Sequence, residues 1–187
     1  MDPGSEDAAT AYRESFEIRR GLAEREPTHR DIQRDLGIAH EKVAKVLLAQ
    51  NNPAGAVAEQ RQALAVFERL GSADPTDANA ARTVAVSRKN LGDALRKSGG
   101  ITEALDLYRK ALDAHRAFRA QDGHNVRATC DVARLAETLG DVLASAEAPG
   151  ACAAWRESQS ARQAAGSTAA CGAVDETTRL SLKLGGC

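Results

Sequence analysis

Apolar side chains recur along the chain at helical intervals of three and four residues, in successive blocks that each leave their opposite face charged. Ala81, Val84, Leu91, Ala94 and Leu95 form one stripe, which stops at Ser98-Gly99-Gly100, where glycine admits the left-handed turn that closes a helix. Ala104, Leu105, Leu107, Tyr108, Ala111, Leu112 and Phe118 form the next. Together they predict two antiparallel helices, A and B, joined by a short connection. The preceding pair carries Ile32, Leu36, Ala39, Val43, Val46 and Leu47 on A and Ala56, Val57, Leu64, Phe67 and Leu70 on B. Asn51-Asn52-Pro53 separates its helices, and Asp74-Pro75 closes it, since proline disfavours helix at the residue before it. The following pair carries Val132, Leu135, Leu139, Val142, Leu143 and Ala146, then Ala151, Cys152 and Trp155, with Ala148-Pro149-Gly150 between.

These pairs share a period of 48 residues, on which fall Ala8, Ala56 and Ala104, Pro27 and Pro75, and, two periods apart, Tyr12 and Tyr108. Trp155 stands one place short of the grid, which reads as a one-residue deletion in the loop before it. A period of this size marks stacked units whose apolar faces become a core only against their neighbours. The expected organisation is a disordered start (1–7), a repeat array (8–166) made of a half repeat (8–27) and full repeats (28–75, 76–123 and 124–166), and a C-terminal cap and tail (167–187). Within the last segment, Asp175 to Leu184 predicts a short helix with acidic residues at its start and Leu180 and Leu184 on one side.

The half repeat is a B helix without its A partner. Its apolar residues Tyr12, Phe16, Ile18 and Leu22 are expected either to be covered by an A helix of a longer protein, of which this chain would be the C-terminal piece, or to self-associate as a homodimer.

Composition narrows the function classes. Of 187 residues, 43% are hydrophobic and 27% charged, which suits a folded globular chain rather than a disordered one. A formal net charge of −1 and 3% aromatic content give neither a basic footprint nor stacking platforms, so no nucleic-acid partner is expected. No apolar run is long enough to span a membrane, and the acidic opening Met1-Asp-Pro-Gly-Ser-Glu-Asp lacks a secretory pattern. The expected location is cytoplasmic. Cys130, Cys152, Cys171 and Cys187 form no Cys-x-x-Cys pair and are expected to be reduced thiols. His29, His40, His115 and His124 are scattered without metal-ligand spacing, so neither a metal nor a cofactor is expected; His115 continues the B stripe and should be partly buried. No nucleophile motif surrounds any serine or histidine. The chain is therefore expected not to be an enzyme.

Leu91-Gly92-x-x-Leu95 followed by Ala104-x-x-x-Tyr108, and Leu139-Gly140-x-x-Leu143 followed by Ala151-x-x-x-Trp155, resemble the tetratricopeptide repeat. Val43-Ala44-x-x-Leu47 with Ala56, and Ala8-x-x-x-Tyr12, follow the same scheme. The spacing is longer than the family's common one and is similar to the long-repeat subtype of bacterial arrays, which often follow a serine/threonine protein kinase domain. The resemblance implies an all-α, right-handed superhelical solenoid of antiparallel helix pairs, about three and a half repeats with a short cap helix. It also implies that A helices line a concave face that holds a peptide or protein segment. On the matching positions this selects Glu41, Lys42 and Lys45, then Lys89, Asn90 and Asp93, then Arg134, Glu137, Thr138 and Asp141. A dedicated clamp for a terminal carboxylate is not implied, because Lys42 and Thr138 stand where Asn90 has its equivalents. The implied function is a non-enzymatic interaction scaffold; the alternative is a regulatory or dimerising C-terminal region of a larger bacterial signalling protein such as such a kinase. The Gly-rich and Asp-Phe-Gly motifs of a kinase are missing from this sequence.

Overall fold

The computed structural model describes residues 6–166, 171, 180–181 and 183–187. The stripes become α1 (Glu6–Arg25), α2 (Arg30–Ala49), α3 (Pro53–Ala73), α4 (Ala78–Lys97), α5 (Ile101–Gln121), α6 (Val126–Ser145) and α7 (Ala151–Ala164). Among the described residues there is no strand, and the chain is all-α. Helix α1 begins at Glu6, so Glu6 and Asp7 are helical rather than part of a disordered start. Met1 to Ser5 lie outside the described residues, as do Asp175 and Glu176 of the expected cap helix, whose later part is helical at Leu180, Ser181, Lys183 and Leu184.

The 48-residue period is written into the helix ends. Asn51 (φ 56°), Gly99 (φ 88°) and Glu147 (φ 51°), one period apart, all take the left-handed conformation. The next amide then returns to a carbonyl of the last helical turn: Asn52 to Leu47 and Gly100 to Leu95 at 2.8 Å, Ala148 to Leu143 at 2.9 Å. Each bond satisfies an acceptor that the helix end would otherwise orphan. The starts of α2, α4 and α6 recur likewise, capped by His29, Asp77 and Asn125. Their side chains accept from the amides of Ile32, of Asn79 and Ala80, and of Ala128, donors that the first helical turn leaves unpaired. Before each cap runs the same turn, closed by His29 to Glu26, Asp77 to Asp74 and Asn125 to Asp122 hydrogen bonds of 3.1–3.2 Å. In the middle one, the Thr76 hydroxyl and amide donate to Asp74 and hold its carboxyl below the ordinary carboxylate range. The links 50–52 and 98–100 are short, whereas 146–150 is longer and ends on Gly150 at φ 106°. The expected one-residue deletion is thus not a shorter link: Pro149-Gly150 replaces helix, and α7 starts late.

The chain forms two compact units, residues 1–104 and 105–187. In the first, α1 packs on α2, α2 on α3 and α3 on α4. Ala44, Ala56 and Ala94, all without exposed surface, bring α2, α3 and α4 together, and Leu47, Leu48 and Val57 pack around them. Alanine at these positions lets backbones approach, while the large residues fill the space between pairs. The Phe67 ring lies over Gly37, where a Cβ would stand 2.7 Å from it. Buried Gln33 ties three helices: its amide donates to the carbonyls of Ala23 and Glu26, and its oxygen accepts from Arg69.

In the second unit α6 packs on α7, and Tyr108, Leu112, Val132 and Leu180 are fully buried. His115 is 4% exposed, with Nδ1 3.8 Å from Asp131, so it is more deeply enclosed than the stripe alone implies. Trp155 crosses α6 at Gly140, where a Cβ would stand 2.4 Å from the indole Cδ1. Gly140→Ala is expected to cost about 1–3 kcal/mol through overpacking, despite alanine's better helix propensity. A thermal midpoint equal to wild type would show that the indole does not seat on this glycine.

The cysteines correct the sequence expectation. Cys130 is disulfide-bonded to Cys171 and Cys152 to Cys187, with Cα–Cα distances of 4.8 and 5.6 Å. The partners lie 41 and 35 residues apart and meet only because the chain after α7 returns to α6 and α7. Local spacing carries no trace of such pairing. Disulfides persist in oxidising compartments, so the cysteines no longer speak for the expected cytoplasmic location. No helix among the described residues is long and apolar enough to cross a membrane.

Candidate functional site

The A-helix positions selected from the sequence fall into two groups. In the first unit they lie on α2 and α4, which Asn90 joins by donating its side-chain amide to Glu41 at 2.9 Å. Lys89 is bound to Asp93, one turn along α4, at 2.7 Å. Four of the six side chains are thereby committed to each other. Lys42 and Lys45 are exposed and, among the described residues, unpaired. They stand one turn apart on α2 beside the Glu41 to Asn90 bridge. Ile38, 38% exposed, precedes Lys42 by one turn on the same side. A second copy of such a basic pair does not occur on α4.

In the second unit the positions lie on α6 and differ in character. Arg134 is exposed and paired with Asp131 at 2.8 Å, and the Thr138 hydroxyl donates to the Arg134 carbonyl. Glu137 is buried: Arg162, 2% exposed, donates to one carboxylate oxygen at 2.8 Å, and Lys183 donates to the other at 2.9 Å. Asp141 accepts from the Trp155 indole at 2.9 Å and pairs with Lys183 at 2.7 Å. The Lys183 ammonium also lies 5.9 Å from the centre of the Trp155 ring. The chain's own C-terminal segment thus stands on the α6 positions selected for a partner. Sequence reasoning did not find Arg162 or Lys183 as part of this cluster.

The residues selected for self-association differ in exposure. Tyr12 and Phe16 are half-buried, and the Phe16 ring meets His40 of α2 edge-on with centroids 4.9 Å apart. Ile18 and Leu22, at 65% and 44% exposure, lie on the outer side of α1.

A cleft of about 350 Å³ opens in the second unit. Leu112, Leu139 and Leu143 form its apolar lining, and Arg116 and Glu157 are joined at its edge by paired hydrogen bonds of 2.7 and 2.5 Å. Asp113 also accepts from Arg116, and these carboxylates hold the guanidinium firmly in its charged form. The cleft contains no nucleophile and base within reach of one another. Among the described residues no cluster of His, Cys, Asp and Glu has the geometry to hold a metal.

No curated protein matches the chain. Residues 84–117, from within α4 to within α5, match the family model of the tetratricopeptide repeat, so this stretch is a repeat of tetratricopeptide type.

Proposed function

We propose that the chain is a non-enzymatic interaction scaffold in which the A-helix face of α2 and α4 takes a protein segment bearing acidic side chains or a terminal carboxylate. The observation that carries this reading is the exposed, unpaired pair Lys42 and Lys45, standing beside a face otherwise neutralised by its own contacts. Two ammonium groups one turn apart can each meet a carboxylate, and Asn90, already holding Glu41, keeps the neighbouring helix in register. The tetratricopeptide match supports an interaction role, and the concave placement of these helices follows from that resemblance.

Lys42→Glu with Lys45→Glu is expected to abolish capture of the partners that wild-type chain retains from a lysate of its source. Fold stability should shift by no more than about 0.5 kcal/mol, as for surface changes in general. Partners retained at wild-type strength by a folded variant would remove α2 from the binding surface.

A second reading is favoured by a different observation, the outward Ile18 and Leu22 of α1. In that reading the chain is a dimerising or regulatory region of a larger bacterial signalling protein such as a serine/threonine kinase. A monomer at all concentrations by sedimentation would remove the homodimer.

A further inference from the structure

Glu137 and Asp141 stand one turn apart on α6, and the Trp155 indole is locked beside them by its bond to Asp141. Arg162 pairs with one of the two carboxylates. A single ammonium touches both carboxylates and the edge of an aromatic face. The group that supplies it is Lys183, carried on a helical segment whose Leu180, one turn earlier, is buried to 1% exposure.

That segment is fastened at its end through Cys152–Cys187. Cys187 is exposed and Cys152 half-buried, whereas Cys130 and Cys171 of the other disulfide are buried. A soluble reductant therefore reaches the outer bond first. In that step a dithiol gives up two electrons and two protons, the Cys152–Cys187 bond breaks into two thiols, and the reductant leaves as its own disulfide.

We propose that Glu137, Asp141 and Trp155 form a recognition site for a protein segment presenting lysine one helical turn after leucine, and that the chain's own tail fills this site until the outer disulfide is reduced. The bound tail is itself the template for the ligand. The proposal rests on the scaffold reading but uses a different surface from Lys42 and Lys45, so the two fail separately.

The test uses full-length chain and a fluorescein-labelled peptide with the sequence of residues 180–187 carrying C187S, followed by fluorescence polarisation. Oxidised wild type should bind it at least tenfold more weakly than full-length C152S/C187S or K183E, and E137Q/D141N added to either should abolish the gain. K42E/K45E should leave it unchanged. Binding no tighter in the folded variants than in oxidised wild type overturns the proposal. Hydrogen exchange on wild type with and without a dithiol decides the matter independently of any variant: amides of 183–187 should exchange at least tenfold faster after reduction while α6 keeps its protection. Equal loss in α6 would make the tail a structural cap and overturn the gating.

Discussion

Arg162→Met is expected to lower the unfolding free energy by about 3–5 kcal/mol, the usual result of removing one member of a buried ion pair. Arg162 is 2% exposed, and its guanidinium meets a carboxylate that is itself buried. Methionine keeps much of the stem's packing volume, so the loss reports the charge left behind. Lys183 still faces the other Glu137 oxygen, which places the effect toward the lower end of that range. The shift is read from the urea midpoint at unchanged slope. Glu137→Gln on the Arg162→Met background should cost less than the two single changes summed, because the second removes the charge that the first strands. An Arg162→Met midpoint indistinguishable from wild type would mean that the pair is not buried in solution.

The second large effect belongs to the inner disulfide. Cys130→Ala with Cys171→Ala is expected to destabilise the oxidised chain by about 4 kcal/mol, from the loop-closure entropy of a bridge across its 41-residue separation. Both sulfurs are buried, so alanine also leaves a small cavity that adds to the loss. Against a typical domain stability of about 5–15 kcal/mol, this change removes a large share. Thiol titration of unfolded, non-reduced wild type should find no free thiol. Four free thiols there would show that neither bridge forms.

Much of the fold was legible because its causes are local and recur. The stripes of A and B, the glycine stop at Gly99 and the small residues Ala44 and Ala56 each follow from helical periodicity or close backbone approach. Gly140 was readable as a small position, though its partner Trp155 lies 15 places on, inside a helix with shifted register. The candidate site was less legible. Glu41 and Asn90 were both placed on A helices, but their bond to each other depends on the spacing between two helices and leaves no periodic mark. The same holds for Gln33, whose polar partners are backbone carbonyls at the end of α1 and Arg69 of α3.

Arg162 is the instructive omission. Allowing for the one-place offset of α7, it occupies the repeat position of His115 and Phe67, both buried. An arginine at a position that elsewhere carries an enclosed ring demands a buried carboxylate, and that signal was available. Its partner was not. Glu137 belongs to the half-buried A-helix register of Glu41 and Lys89, and meets Arg162 of α7 and Lys183 of the tail through contacts that its own register does not mark.

The recurrence of helix stops at Asn51, Gly99 and Glu147, and of capped starts at His29, Asp77 and Asn125, bears on how such a chain can change length. Any 48-residue cassette cut from this interval contains one complete stop and one complete start. Unequal recombination by whole cassettes therefore lengthens or shortens the array without requiring a new turn, and every junction it creates repeats a turn geometry already present. Insertions of any other size must be absorbed where the stop-to-start distance is already irregular, as it is in the link before α7.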